Sequence, residues 1–263
     1  MELIRDRVAV SFDQRIARVA LSRPDKYNGL DLDMMHALVE AARRVRRQAG
    51  IRAVIVHGEG EAFCAGLDFA SVTRHPARIL AGFLPWLRKD NLFQRLCLGW
   101  RDLPVPVIAV THGYCFGGGL QLALGCDFRF STPDCRFSVM EVQWGLIPDM
   151  AASVTLRDLV PLDVAMELAM SGRQFSAEEA LALKLVSRID PAPLKAAEEF
   201  ATVLGARSPD AVSAVKRLFR DSRHGSERRA LRRERWLQLR VLLGANQREA
   251  MRARLEKRDP EFR

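Results

Sequence analysis

The stretch PVIAVTHGYCFGGGLQLALGC, residues 106–126, joins an apolar run, a glycine-rich turn and a second apolar run in one segment. The first run is short, rich in β-branched residues and followed by glycine, which is typical of a buried strand. The second run begins at three consecutive glycines and has the length of a helix. The stretch AVIVHGEGEAFCAGLDF, residues 53–69, repeats the order of strand, glycine turn and small residues. The two stretches predict a strand-turn-helix unit that occurs twice.

The neighbouring segments continue this alternation. VAVSF and IARVALS, either side of residues 13–15, alternate apolar and polar positions and predict a β-hairpin. Residues 30–48 have helical spacing behind Asp31, a residue type that caps helices. DFRFS and RFSVM, within residues 127–140, predict two more strands. Because strand and helix alternate over the first 145 residues, we expect an α/β fold with a parallel sheet and helices packed on it.

The remainder of the chain has mainly helical patterns. Helices are predicted within LDVAMELAMSG (162–172), SAEEALALKLVS (176–187), PLKAAEEFATVLGAR (193–207) and an arginine-rich segment from about 208 to 257. The composition changes near residue 190 without a low-complexity linker. We therefore divide the chain into a core, residues 1–190, and a helical C-terminal region, residues 191–263.

Length and composition limit the classes of protein that are compatible with this sequence. The 263 residues are 48% hydrophobic, enough for one sizeable core. No run of eighteen apolar residues predicts a membrane span, and MELIRDRVAV lacks the pattern of a secretion signal, so a cytoplasmic protein is expected. The five cysteines form no CxxC pair and have no histidines at metal-ligand spacing. Buried reduced thiols and no metal site are predicted.

The positive charge is concentrated at one end. Residues 215–263 contain 16 Lys and Arg against 7 Asp and Glu, a difference equal to the net charge of +9. Such a region suits nucleic acid, cofactor phosphates, an acidic neighbouring subunit or a solvated helix face. RRALRRERWLQLR, residues 228–240, is the segment that best suits RNA electrostatically. Its arginines are interleaved with glutamates and no aromatic platform is evident, so nucleic acid is not the expected partner.

The glycine turns also have a chemical interpretation. A helix that begins at a glycine turn exposes backbone N–H groups without intrahelical partners, and two such turns side by side can bind a developing oxyanion. The alternative is that the glycines only permit close packing of helix on strand. From the residues alone both interpretations stay open.

Several motifs resemble those of the crotonase, or enoyl-CoA hydratase/isomerase, superfamily. They are LSRPDKYNGLDLDM (21–34), AFCAGLDF (62–69), VIAVTHGYCFGGGLQLALGCDFRF (107–130), EVQWGLIPD (141–149) and LAMSGRQFSAEEALALKLVSRI (168–189). Together they follow the family's order along the chain. The resemblance implies a spiral core of repeated ββα units and a C-terminal helical region that assembles trimers or dimers of trimers.

The resemblance also implies a substrate and its binding groups. The substrate would be a coenzyme A thioester, with no further cofactor, and its thioester oxygen would lie between the backbone N–H groups of Leu67 and Gly118. The remaining substrate contacts that the motifs imply are Arg23, Lys26, Ala65, Gly66, Asp68, Gly117, Trp144, Lys257 and Phe262. Of these, Arg23 and Lys26 would meet coenzyme A phosphates, and Lys257 and Phe262 would reach a neighbouring subunit's ligand. Residues 74–96 lie where the family has a variable segment over the acyl pocket, which gives Ile79, Leu80, Phe83, Leu84, Trp86 and Leu87 as candidate lining.

The acidic residues decide the expected reaction. Hydratase-like members carry two glutamates where this chain has Gln121 and Glu141, and an amide cannot exchange protons as a carboxylate does. Dienoyl-CoA isomerases are similar in pairing a Glu with an Asp eight residues on, as in Glu141 and Asp149, but carry an Asp where Gln121 stands. A simple 3-to-2 double-bond shift needs only Glu141. Isomerisation is therefore expected ahead of hydration.

Three alternatives stay open at this point. Asp149 could cap the helix that the following residues predict. It also occupies the position of the nucleophilic Asp in relatives that hydrolyse aryl-halide thioesters, although those have no Glu at position 141. A catalytically inactive scaffold is the third possibility.

Overall fold

The computed structural model describes residues 2–84 and 89–263. In chain order its strands are β1 (Glu2–Ile4), β2 (Val8–Asp13), β3 (Ile16–Leu21), β4 (Ala53–Gly58), β5 (Val107–Thr111), β6 (Tyr114–Phe116), β7 (Phe128–Ser131), β8 (Arg136–Ser138), β9 (Gln174–Ser176) and β10 (Arg188–Ile189). Its helices are α1 (Leu32–Arg47), α2 (Phe69–Val72), α3 (Pro76–Phe83), α4 (Leu92–Arg101), α5 (Gly118–Leu124), α6 (Ala152–Thr155), α7 (Leu162–Ser171), α8 (Ala177–Ala182), α9 (Pro193–Gly205), α10 (Pro209–Ser222), α11 (Glu227–Leu242) and α12 (Ala245–Glu256). Short 3-10 turns cover Pro24–Lys26, Glu141–Trp144 and Leu156–Asp158.

A seven-stranded sheet in the order β1-β2-β3-β4-β5-β7-β10 forms the centre of the molecule. The predicted hairpin is confirmed as β2 and β3, which pair antiparallel through a turn whose residues Gln14 and Arg15 have positive φ. From β3 onward every pairing in this sheet is parallel. The predicted α/β class with a parallel sheet is thus confirmed.

A second, three-stranded sheet in the order β6-β8-β9 stands beside the first. β6 pairs parallel with β8, and β8 pairs antiparallel with β9. Each strand is three residues long, and only β8 is among the predicted strands, within RFSVM, because such short strands leave few alternating positions. Its strand β6 ends at Phe116, directly before the glycine turn at Gly117.

Helices bury both faces of the large sheet. On one face the buried cluster includes α1, whose N-terminal Asp31 accepts the Met34 N–H at 2.7 Å, so the predicted cap is confirmed. On the other face α9 packs Ala196, Ala197 and Ala201 against strand residues such as Ile108. Burial on both faces explains why the parallel strands are apolar at consecutive positions.

The helix predicted over residues 176–187 is shorter in the structure. α8 ends at Ala182, because Lys184 has φ +64° and turns the chain out of the helix. The Leu185 and Val186 N–H groups then bond back to the Ala180 carbonyl. The chain is thereby directed into β10.

The C-terminal helices differ in their relation to the core. α9 covers the sheet, whereas α10 is fastened to it by Lys216, whose ammonium contacts the Asp127 carboxylate at 2.6 Å and the Val105 carbonyl at 2.9 Å. Large apolar side chains on these helices stay exposed, among them Phe219 at 70%, Leu243 at 78% and Leu255 at 80%. This exposed apolar surface is available for contact with another chain.

All five cysteines are buried and reduced, as predicted. Burial raises the pKa of Cys64, Cys126 and Cys135 to about 12. Within residues 2–84 and 89–263, no cluster of three or more His, Cys, Asp or Glu side chains is arranged to bind a metal. In the same residues, no helix combines the length and apolar character needed to cross a bilayer.

Candidate active site

The two glycine turns predicted from the sequence lie against each other. The Cys64 N–H bonds to the Tyr114 carbonyl and the Phe116 N–H bonds to the Cys64 carbonyl, both at 3.0 Å, which aligns residues 62–69 with β6. Gly66 has φ +94° and Gly117 φ +51°, conformations that favour glycine. A Cβ on Gly66 would lie 3.0 Å from the Phe116 carbonyl oxygen. Close contact between the two turns therefore depends on glycine at position 66.

This contact brings the two predicted oxyanion donors to one cavity. Leu30 bonds to the Gly66 carbonyl and to the Asp68 N–H, so the intervening Leu67 N–H points the other way. Gly118 is the first residue of α5, where an N–H has no intrahelical acceptor. Neither of these N–H groups donates to any acceptor in the described part of the chain. Both residues line the same cavity, so the pair is available to a ligand oxygen.

The cavity is small, about 90 Å³. The predicted site residues that line it are Ala65, Gly66, Leu67, Gly117, Gly118, Glu141, Trp144 and Asp149. Four further lining residues are not among the predicted site residues, and these are Phe69, Met140, Leu146 and Met150. All four are apolar, so the two acids face a largely apolar space.

Glu141 is held by Gln121. The Gln121 amide on α5 donates to Glu141 Oε1 at 2.5 Å. Glu141 begins the 3-10 turn Glu141–Trp144, which is followed by Gly145 with φ +69°. The second oxygen of each group, Gln121 Oε1 and Glu141 Oε2, is buried without a hydrogen-bond partner in the described residues. Of these two unsatisfied acceptors, Glu141 Oε2 belongs to a residue that lines the cavity, whereas Gln121 is not among the lining residues.

Burial controls the protonation of both acids. It raises the pKa of Glu141; the Asp149 charge raises it further, and the hydrogen bond from Gln121 opposes the rise. Burial likewise raises the pKa of Asp149. The pKa of each carboxyl is therefore closer to neutral pH than it would be in water, as suits a group that accepts and returns protons.

Asp149 does not cap a helix here. α6 begins after Ala151, which has φ +71° and makes no side-chain capping bond. The alternative of a capping role, left open by the sequence, is therefore wrong. Without that role, the Asp149 carboxylate lines the cavity with Glu141.

Five predicted contact residues lie outside the cavity lining. Arg23 pairs with Asp68 at 2.8 Å, and Asp68 also caps α2 by accepting the Ser71 N–H at 3.1 Å. Both side chains thus have structural partners already. Lys26 is exposed at the end of the first 3-10 turn.

The two C-terminal candidates differ from each other. Phe262 is 9% exposed and its carbonyl accepts a hydrogen bond from Arg52 at 3.3 Å, so it is buried against its own chain instead of extending to a neighbour. Lys257 ends α12 and is exposed. Its contact with a neighbouring subunit's ligand stays a prediction.

The segment predicted to cover the acyl pocket is arranged differently. Ile79, Leu80, Phe83 and Leu84 are not among the cavity residues, and Phe83 packs on Phe93 with ring centroids 4.4 Å apart. Trp86 and Leu87 lie outside the described residues. The aromatic wall of the cavity is instead Phe69 stacked on Trp144, at 4.0 Å between centroids and 23° between planes.

This chain is similar in sequence and in fold to known proteins. A family profile described as enoyl-CoA hydratase/isomerase matches residues 11–263. The enoyl-CoA hydratase EchA19 of Mycobacterium tuberculosis is 32% identical over 248 residues, 93% of this chain and 91% of the relative. The mitochondrial Delta(3,5)-Delta(2,4)-dienoyl-CoA isomerase of Mus musculus is 34% identical over 215 residues, 78% of this chain and 66% of the relative. The crystal structure of an enoyl-CoA hydratase from Bacillus anthracis superposes with a TM-score of 0.88 at 26% identity, covering 97% of this chain and 98% of that one. The relatives thus carry names of two different reactions.

Proposed function

The chain belongs to the enoyl-CoA hydratase/isomerase family, and on that premise we propose that it shifts a carbon-carbon double bond in an enoyl- or dienoyl-CoA. One observation carries the proposal. Glu141 and Asp149 line the same cavity as the Leu67 and Gly118 backbone N–H groups, whereas the third polar position, Gln121, is an amide. Two acids can move a proton between carbons, and two N–H donors can stabilise the charge formed meanwhile.

The reaction follows from these groups. The thioester oxygen accepts hydrogen bonds from Leu67 and Gly118, which makes the C2 protons more acidic. Glu141 removes a proton from C2, and the electron pair of that C–H bond moves into an enolate whose charge rests on the thioester oxygen. In a 3-enoyl-CoA the proton is returned at C4 and the double bond then lies between C2 and C3. No atom is gained or lost, and Glu141 is regenerated.

A dienoyl substrate extends the same scheme. In a 3,5-dienoyl-CoA the charge of the enolate spreads over the conjugated chain, so the proton can be returned at C6. This position is too far from C2 for one short carboxyl to serve both. Asp149, protonated at the start, is the second acid that such a transfer requires: it gives its proton to C6, and exchange with solvent then removes the proton from Glu141 and returns one to Asp149.

Hydration of a 2-enoyl-CoA is the second candidate. It is favoured by the two unsatisfied buried acceptors, Gln121 Oε1 and Glu141 Oε2. A water molecule can donate one hydrogen bond to each of two such oxygens. Glu141 would then take a proton of this water as the oxygen attacks C3, the C2–C3 π electrons would move into an enolate on the thioester oxygen, and Glu141 would return the proton to C2.

The coenzyme A part and the assembly are proposed from the family. Exposed Lys26 supplies positive charge for its phosphates, and Arg23, which is paired with Asp68, could meet them only by exchanging that partner. The exposed apolar side chains of the C-terminal helices are proposed to join three chains, or six as a dimer of trimers.

Incubation of the purified protein with 3-enoyl-, 3,5-dienoyl- and 2-enoyl-CoA tests both candidates. Isomerisation leaves the mass unchanged and moves the double bond, which proton NMR detects, whereas hydration adds the mass of one water. We expect isomerisation of the first two substrates, reduced about 10²- to 10⁴-fold in Glu141→Gln. Asp149→Asn should lose the dienoyl reaction above all.

Matched controls are Glu199→Gln and Asp134→Asn, which alter exposed carboxylates elsewhere on the chain. Both should keep full activity. Addition of water to the 2-enoyl substrate as the main activity of the unaltered protein would reverse the order of the two candidates.

A further inference from the structure

Two aromatic side chains connect opposite walls of the cavity. The stacked rings of Phe69 and Trp144 both line it. Phe69 lies two residues after Leu67, and Trp144 lies three residues after Glu141. The ring pair therefore joins the segment that carries an oxyanion donor to the segment that carries the base.

Trp144 also has a fixed relation to Glu141. The two residues are the first and last of one 3-10 turn, in which side chains three positions apart project from the same side. The Gln143 amide donates to the Gly172 carbonyl at 2.5 Å and fastens this turn to the end of α7. An acyl group with its reacting carbons at Glu141 consequently has its outer atoms beside the indole of Trp144.

The stacked pair lines a small cavity. Pockets for small ligands commonly measure about 300–1,000 Å³, against about 90 Å³ here. An acyl group that extends beyond Glu141 must therefore part the two rings or lie against them. Trp144 is 56% exposed, so a large part of the indole is open to such a group.

We propose that Phe69 and Trp144 favour, among acyl-CoA ligands, those whose acyl group carries a planar, conjugated π system. The inference rests on the proposed function, which sets where the thioester lies. A ligand that parts the rings removes their mutual stacking, and only a ligand with a π face of its own restores it. The preference of aromatic pairs for stacking over plain apolar contact corresponds to about 2- to 12-fold in a binding constant.

Two thioesters with the same carbon skeleton test this selection. Benzoyl-CoA is planar and conjugated, and cyclohexanecarbonyl-CoA is its saturated counterpart. Neither has an alkene that this family's chemistry would shift or hydrate, so calorimetric binding constants do not depend on which reaction the enzyme performs. We expect the unaltered protein to bind benzoyl-CoA about 2- to 12-fold more tightly.

Variants assign the preference to the ring pair. Trp144→Leu and Phe69→Leu should each bring the ratio of the two binding constants close to one, whereas Trp144→Phe should keep most of it. Phe12→Leu alters a part-exposed phenylalanine on β2, outside the cavity, and should leave the ratio unchanged. The near-UV circular dichroism of each variant establishes that it is folded, and Phe69→Leu serves alone if Trp144→Leu is not.

A ratio near one in the unaltered protein, or a ratio that survives both leucine substitutions, overturns the inference. So does failure to bind either thioester. Turnover of enoyl-CoA substrates with a ratio near one would contradict this inference while leaving the proposed function intact. A clear ratio of binding constants without turnover of any enoyl-CoA would contradict the proposed function while leaving the selectivity of the ring pair intact.

Discussion

At the scale of single residues, the setting of Glu141 makes a prediction about pH. Burial and the nearby Asp149 charge raise the Glu141 pKa, and the group must be ionised to accept a proton. Isomerase kcat/KM should therefore fall as pH is lowered, with a midpoint above the ordinary glutamate value of about 4.3. In Asp149→Asn the midpoint should move down, because one like charge is removed. A pH profile for a 3-enoyl-CoA measures both, and an unmoved midpoint in the variant would show that the two acids are not coupled.

Gln121 supports a second prediction at this scale. Gln121→Glu would put a second carboxyl 2.5 Å from Glu141 Oε1, and two carboxyls so close share one proton because both cannot be ionised together. Such a pair can donate and accept a proton in one cycle, so hydration of 2-enoyl-CoA should increase. The mass of the product measures it. Gln121→Met, which has similar length and no titratable group, is the control and should show no increase.

Sequence and structure agree best for residues near one another in the chain. The glycine turns and the pair Glu141 and Asp149 were predictable because local backbone geometry and motif order place them. The Phe69 and Trp144 stack was not, since its two residues are 75 positions apart and meet only through the packing of two loops. The pairing of Arg23 with Asp68 was missed for the same reason, because charge on a sequence does not tell which opposite charge is in reach.

At the scale of elements, the attachment of α10 to the sheet leads to the third prediction. Lys216 is 9% exposed in its side chain and contacts Asp127 at 2.6 Å. Lys216→Met would leave a part-buried carboxylate without its cation, and the free energy of unfolding should fall by about 1–3 kcal/mol. Urea unfolding measures it. Lys195→Met, an exposed lysine of α9, is the control, and an equal loss in both variants would mean that the ion pair contributes nothing.

Element lengths explain which parts of the fold the sequence could reveal. α1, α7 and α9 were recognisable because each spans several turns, with apolar positions repeating at helical spacing. In the second sheet only β8 was, within RFSVM, because strands of three residues leave one or two alternations to read. The end of α8 at Ala182 depends on one left-handed lysine, a residue type that carries no turn signal.

At the scale of the whole molecule, the exposed apolar residues of α10 to α12 make the fourth prediction. We expect a mass of three or six times 29.6 kDa by light scattering. Phe219→Asp and Leu255→Glu, which place charge on side chains 70% and 80% exposed in the single chain, should lower that mass. Leu3→Glu on β1 is the control. A monomer in the unaltered protein would refute the assembly.

In the basic C-terminal region, two arginine side chains lie over an aromatic ring. Trp236 has Arg233 and Arg240 over its ring, with guanidinium carbons 5.2 and 4.8 Å from the centroid. The sequence indicated no aromatic platform on which RNA bases could stack. The structure agrees for Trp236, because its ring is covered by the chain's own arginines. Any attraction to RNA should then be mainly electrostatic and disappear as salt is raised.

The five buried thiols can report local opening of the structure through their reaction with a labelling reagent. A sulfur with a pKa near 12 and no access to solvent is invisible to a thiol-labelling reagent until the surrounding structure opens. Cys64 lies two residues before Gly66 of the first glycine turn, where its thiol contacts the Asn28 carbonyl at 3.1 Å, and Cys135 precedes β8 in the second sheet. The order in which these two sulfurs become labelled therefore shows whether the structure around the glycine turns opens before or after the second sheet, and no residue has to be introduced for the measurement.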